Sequence, residues 1–260
     1  MNTGTANRMW ALPGAEFTLD TGIMIVNGQG QVTIPVPSFL IEHDRGLVLF
    51  DTGIAFEAAK DPHAVYGDLA DVVGLAYGPE DRVDRKLEAL GYKPSAIDHV
   101  IVSHAHFDHA GGIRLFPDAQ LYIGEGDLPY SYWPLPAAKP FFRTADFDTT
   151  RDWKWNQLST DHDLFGDGSI VIHRMPGHTP GNTSVLVRLP NQTFLLTGDT
   201  VHLRQALTED LPMPSDYNTL QAVRSIRRLK QLARAHDATV WISHDPEDWA
   251  TLKHAPACYD

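Results

Sequence analysis

An apolar run, Val100-Ile101-Val102, leads directly into Ser103-His104-Ala105-His106-Phe107-Asp108-His109-Ala110-Gly111-Gly112. Four side chains able to hold a metal, His104, His106, Asp108 and His109, fall within six residues. Imidazole nitrogen and carboxylate oxygen both bind zinc at about 2.0 to 2.2 Å. Alternation at the end of a strand points His104 and His106 to one side, and the turn that follows presents the next pair. A lone histidine here would read as a polar or core residue. Four ligand-type residues in this pattern point instead to two adjacent metal ions, and the fold must bring the remaining ligands to the end of this strand.

Three later segments have the same form. They are His178 in Pro176-Gly177-His178-Thr179-Pro180-Gly181, Asp199 in Leu195-Leu196-Thr197-Gly198-Asp199, and His244 in Val240-Trp241-Ile242-Ser243-His244-Asp245. Taken singly, each is as readily a turn residue as a ligand. Glycine beside His178 and Asp199 lets the backbone turn sharply and re-aim the side chain. Together with the first cluster they make five His and two Asp, enough for two ions with a carboxylate between them and open positions for water.

The surrounding pattern is that of layered sheets. Phe17 to Val26, Ser38 to His43 and Leu47 to Phe50 read as strands, the last two joined by the turn Asp44-Arg45-Gly46. Asp81 to Leu90 has helical spacing and stops at Gly91, and the strand His99 to Val102 follows. In the second half, Ser169 to Met175, Thr183 to Leu189 and Gln192 to Leu196 read as strands, then a helix over Thr219 to Ala235 and the strand Thr239 to Ile242. Two groups of strands, each succeeded by a helix, predict an α/β protein built as a four-layer αββα sandwich. With 260 residues and no long linker or repeat, one domain over 1–260 is expected. An aromatic and proline-rich insertion at about 130–155 carries Tyr130, Tyr132, Trp133, Phe141, Phe142, Phe147, Trp153 and Trp155. It predicts no regular structure: either a lid, or a segment stapled to the surface by its own side chains.

Charge narrows the partners. With 21 Lys+Arg against 33 Asp+Glu the formal charge is −12, which disfavours a polyanion such as nucleic acid. The one basic cluster, Arg224, Arg227, Arg228, Lys230 and Arg234, fits the solvated face of a helix. A single cysteine, Cys258, excludes an intrachain disulfide and a thiolate metal cage. No run reaches the ~18 apolar residues of a membrane span, and the first 30 residues lack the order of a signal peptide, so a cytoplasmic protein without a membrane partner is expected.

These motifs, with Leu49-Phe50-Asp51-Thr52-Gly53 and the block from Leu90-Gly91-Tyr92 through Ile97-Asp98, resemble the metallo-β-lactamase superfamily. The wording of His106 to Gly112 and of Gly177 to Gly181 is most similar to its N-acyl-homoserine lactonase (quorum-quenching lactonase) family. The resemblance implies the metallo-β-lactamase fold and two Zn2+ per chain, with Mn, Co or Fe able to fill the same donors. His104, His106 and His178 are implied to hold the first ion, Asp108, His109 and His244 the second, and Asp199 to bridge them. Asp51 is implied to lie under the site, accepting a ligand imidazole N–H. The implied reaction is opening of the lactone ring by a metal-bridging hydroxide, with Asp108 shuttling the proton to the leaving oxygen.

One departure bears on specificity. The family often has Tyr three residues after the bridging Asp, and here that position is His202, whose imidazole can donate the same hydrogen bond to a substrate carbonyl. Met24, Phe107, Tyr130, Trp133, Phe141 and Phe142 are the apolar residues expected to border an acyl-tail groove. A small-molecule lactone is the expected partner, and a homodimer is compatible with the sequence. The same site acting on another lactone, an organophosphate triester or a thioester is the nearest alternative. A di-iron redox protein is the alternative from another class; relatives of that kind usually carry Glu where His106 stands, joined to a flavin domain.

Overall fold

The computed structural model describes residues 4–260. A six-stranded sheet has the order β1-β4-β5-β6-β7-β8, a five-stranded sheet has the order β13-β12-β11-β10-β9, and β2 and β3 form a separate hairpin. In the first sheet lie β1 (Arg8–Leu12), β4 (Ser38–His43), β5 (Gly46–Phe50), β6 (His99–Ile101), β7 (Gln120–Gly124) and β8 (Trp155–Leu158). The second holds β9 (His162–Asp163), β10 (Ile170–Arg174), β11 (Thr183–Arg188), β12 (Thr193–Leu196) and β13 (Ala238–Trp241). The hairpin is β2 (Glu16–Asp20) with β3 (Gln31–Pro35).

Both sheets are apolar on both faces, and the period of two decides which core each residue joins. Phe39, Ile41, Val48 and Phe50 meet Ile172, Val185, Val187, Phe194, Leu196 and Trp241 between the sheets. Their neighbours Leu40, Leu49 and Val100 point the other way, onto Val83 and Leu87 of α4 (Val83–Ala89). On the outer face of the second sheet, Leu186 and Leu195 pack with Ile226 and Leu229 of α9 (Thr219–Ala235). The four layers αββα follow from these alternations, as the sequence pattern predicts.

The remaining helices are short: α1 (Thr21–Met24), α2 (Pro62–Tyr66), α3 (Leu69–Val72), α5 (Phe107–Ala110), α6 (Asp127–Tyr132), α7 (Ala145–Asp148), α8 (Arg204–Glu209) and α10 (Pro246–Thr251). Among the described residues no helix is long and apolar enough to cross a membrane. On the basic face of α9, Arg227 and Lys230 both bond Asp210, at 2.8 and 2.7 Å, and Arg228 bonds Asp161 at 2.5 Å.

Two expectations need correction. The run Phe17 to Val26 is not one strand: β2 ends at Asp20, whose Oδ1 accepts the Gly22 N–H at 2.7 Å and starts α1, a cap that outcompetes the apolar pattern. The 130–155 segment is not irregular, since it contains the end of α6, a 3-10 turn at Lys139–Phe141 and α7, and β8 begins at Trp155. Local bonds hold these turns, with Tyr132 Oη donating to Asp148 at 2.9 Å and Trp155 Nε1 to the Thr150 carbonyl at 3.0 Å.

Candidate metal centre

The site forms where both sheets end. β6 runs out at Ile101 and delivers Ser103 to His109, with α5 presenting Asp108 and His109 on its single turn. His178 follows β10, Asp199 follows β12 and His244 follows β13. Two glycines allow the close approaches this requires. At Gly198, φ is +51° and a Cβ would stand 2.7 Å from Ser103 Cβ; at Gly177, φ is +146° and a Cβ would stand 2.2 Å from the Ala222 nitrogen.

The seven expected residues fall into two adjoining groups. Ligand-capable atoms of His104, His106, His178 and Asp199 lie within 4.8 Å of one another, as do those of Asp108, His109 and His244. His178 Nε2 is 3.1 Å from His106 Nδ1, and His109 Nε2 is 3.2 Å from His244 Nε2. Asp199 faces both groups: Oδ1 is 3.2 Å from His109 Nε2 and 3.1 Å from His244 Nε2, while Oδ2 is 3.4 Å from His178 Nε2 and 3.7 Å from His104 Nε2. Asp108 Oδ2 is 3.6 Å from His109 Nε2 and 3.7 Å from His244 Nε2.

A partner at Nδ1 turns Nε2 inward for four of the five histidines. His109 Nδ1 donates to Asp51 Oδ2 at 2.8 Å, His178 Nδ1 to Asp216 Oδ1 at 2.9 Å, His244 Nδ1 to the Pro35 carbonyl at 2.8 Å, and His104 Nδ1 bonds Ser103 Oγ at 3.0 Å. This is the arrangement that orients metal-binding imidazoles. Asp51, at φ +60°, also accepts the Ser103 N–H at 2.6 Å.

The donors fit a pair of divalent ions. Two ligands on a tetrahedral ion with arms of about 2.0 to 2.1 Å stand roughly 3.3 to 3.4 Å apart, and the separations above scatter around that edge length. His104 Nε2 and Asp199 Oδ1 are buried without a hydrogen-bond partner, as donor atoms left open for an ion would be. The charges agree: Asp51, Asp108, Asp199 and Asp216 place four carboxylates at one buried point, with side-chain exposures of 3%, 12%, 6% and 3%. Burial, and then the charge of neighbouring histidines, drives His104 and His106 well below the usual imidazole range, so both are neutral donors. At His109 burial also opposes a proton, but Asp199, Asp108 and Asp51 outweigh it and raise the group. Burial opposes the charge on Asp199 too, yet His109, His244, His202 and His104 hold its carboxyl well below the ordinary range.

A cavity opens onto this cluster, bordered by His106, Asp108, His178, Asp199, His202 and His244. His202 is buried, with Nε2 3.1 Å from Asp199 Oδ2. The opposite wall is apolar. Met24, Phe107 and Phe141 belong to it, joined by Phe17, Leu19, Ile23, Ile34, Val73 and Met213. The other three expected tail residues do not line this cavity. Phe142 packs behind on the His106 ring with centroids 4.5 Å apart, Tyr130 packs on Phe142 at 5.3 Å and on Tyr217 at 5.1 Å, and Trp133 is 89% exposed. An aromatic in a proline-rich stretch gives no sign of which way it faces, whereas the β2–β3 hairpin that closes the wall shows only an unassigned alternation at Phe17 and Leu19.

Asp127 and Asp216 are supports without a sequence signal. Asp127, fully buried at the start of α6, accepts the Ala105 N–H at 2.8 Å and the Gly181 N–H at 2.6 Å, tying the His104–His106 turn to the His178 turn. Neither lies in a motif, and each is far along the chain from the residue it serves.

The Metallo-beta-lactamase superfamily pattern matches residues 33–244. An N-acyl homoserine lactonase, AttM of Rhizobium radiobacter, is 36% identical over 231 residues, covering 87% of this chain and 88% of the relative. An N-acyl homoserine lactonase of Bacillus cereus is 25% identical over 256 residues, covering 97% and 98%. Among solved structures, an N-acyl homoserine lactone hydrolase with the product N-hexanoyl-L-homoserine at its catalytic metal centre superposes with a TM-score of 0.86 at 21% identity, over 98% of this chain and 100% of that one. AidC, a dizinc quorum-quenching lactonase, superposes with a TM-score of 0.68 at 18% identity, over 99% and 97%. The chain therefore belongs to the metallo-beta-lactamase superfamily and, within it, to the N-acyl homoserine lactonase family.

Proposed function

We propose that this chain is a dinuclear-metal hydrolase that opens the lactone ring of N-acyl homoserine lactones, with zinc as its resident ion. The observation that carries the reading is Asp199, one buried carboxylate whose two oxygens face two separate imidazole groups beside an apolar cavity. In this reading His104, His106 and His178 hold one ion, Asp108, His109 and His244 the other, and Asp199 lies between. A bound pair would supply a Lewis acid for the carbonyl oxygen and lower the pKa of a water to about 7.

The chain's own residues do the rest. Asp108 borders the cavity with its side chain 12% exposed against 6% for Asp199, which suits it to carry a proton from the attacking water to the departing ring oxygen. His202 borders the same cavity, and its imidazole donates to the substrate carbonyl in place of a tyrosine hydroxyl. Met24, Phe107, Phe141 and the apolar residues around them exclude water and take the acyl tail. Ring opening leaves acid and alcohol on one molecule, so no separate leaving group needs a site.

A substrate panel tests the reading: acyl-homoserine lactones of several lengths, simple γ- and δ-lactones, paraoxon, a glutathione thioester and nitrocefin. The highest kcat/KM is expected for acyl-homoserine lactones, with KM falling as the tail lengthens because each buried CH2 contributes about 0.8 kcal/mol. A preference for any of the last three compounds overturns it.

A further inference from the structure

Outside the seven clustered residues, Asp216 has two unlike partners. Its Oδ1 accepts from His178 Nδ1 at 2.9 Å, and its Oδ2 accepts the backbone N–H of Met213 at 2.9 Å. The side chain is only 3% exposed. Both partners border the cavity, His178 on the polar side and Met213 on the apolar wall. The backbone around Asp216 repeats the connection: Asp216 N–H donates to the Met213 carbonyl at 3.2 Å, Tyr217 N–H to the His178 carbonyl at 3.0 Å and Asn218 N–H to the Gly177 carbonyl at 2.9 Å. The stretch from Met213 to Asn218 is thus a strap between the substrate wall and the His178 turn.

We propose that Asp216 is a positioning residue that aims His178 at its ion and fixes the Met213 wall at the same time, so that metal affinity and substrate binding share one carboxylate. The proposal deepens the functional reading above and rests on it for the identity of the ion. An imidazole whose Nδ1–H meets a carboxylate is locked in one tautomer and orientation and is a more basic ligand. The geometry also needs both oxygens. An amide in the same place has a single oxygen acceptor and must abandon either His178 or Met213.

The test is stepwise zinc removal from the purified holoprotein by graded chelator competition, reading a Kd for each of two ions without substrate. In Asp216→Asn one ion is expected to bind about 10- to 100-fold more weakly while the other is unchanged, and KM for N-hexanoyl-homoserine lactone rises. Met213→Ala keeps the backbone N–H, so it is expected to raise KM with both ion affinities at the parent level. If Asp216→Asn does not fold, Asp216→Glu is measured in the same way and is expected to weaken the same single ion by a smaller factor. Unchanged affinity for both ions, or equal weakening of both, overturns the proposal. The zinc readout involves no substrate, so failure of the lactonase reading shows separately in the panel.

Discussion

Asp108 has the one side chain in the cluster assigned to both holding an ion and carrying a proton, and substitution separates the two. Asp108→Asn keeps an oxygen donor but cannot carry the proton. With both ions retained by metal analysis, kcat is expected to fall by about 100-fold or more; turnover at the parent rate would contradict the proton role. Asp127 shows what a supporting carboxylate costs. Burial pushes its carboxyl from 3.8 up to about 6, against the backbone hydrogen bonds from Gly181 and Ala105 that favour the ionised form. The folded state therefore binds this proton more tightly than the unfolded chain. The penalty is absent below about pH 4, where both states are protonated, and complete above about pH 6, reaching about 3 kcal/mol. Urea unfolding of ion-free protein between about pH 4 and pH 7 should show the parent losing about that much more stability than Asp127→Asn; parallel pH profiles would contradict the assignment. Histidine and aspartate at strand ends were legible in the sequence because ligand chemistry admits few residue types at such spacing. Asp127 and Asp216 were not legible, since any acidic residue suitably placed in space would serve and chain separation hides the partner.

At the scale of elements, the close seating of the His178 turn on α9 is a tight constraint on the site. A Cβ at Gly177 would stand 2.2 Å from the Ala222 nitrogen and 2.4 Å from its Cα, both backbone atoms. Gly177→Ala is expected to destabilise the protein by roughly 1 to 3 kcal/mol and to loosen metal binding, because α9 or the turn must shift. Gly91, the left-handed residue that closes α4 at φ +87° with no atom within 4 Å of a Cβ, serves as the comparison, where Ala costs only the backbone contribution of about 1 kcal/mol. Equal urea midpoints for the two variants would contradict the packing argument. The helix Thr219–Ala235 could be read residue for residue because its apolar spacing runs without interruption over 17 residues. The β2–α1 boundary and the 130–155 turns could not, because a side-chain cap at Asp20 and aromatic packing override the local pattern there.

For the whole molecule, the seven residues come from the ends of both sheets, so bound ions would cross-link the two halves of the sandwich. The layers themselves were legible from alternation and from helices following each strand group. Which hairpin covers the cavity was not, because β2 and β3 belong to neither sheet. In the proposed reaction this convergence holds two ions that act on a lactone. Its most direct test is to strip the protein with chelator, add zinc back in measured equivalents, and follow ring opening of N-hexanoyl-homoserine lactone. Negligible turnover is expected without zinc, and activity that rises until two equivalents are bound and is flat beyond. Ring opening by the ion-free protein at the fully loaded rate would contradict it.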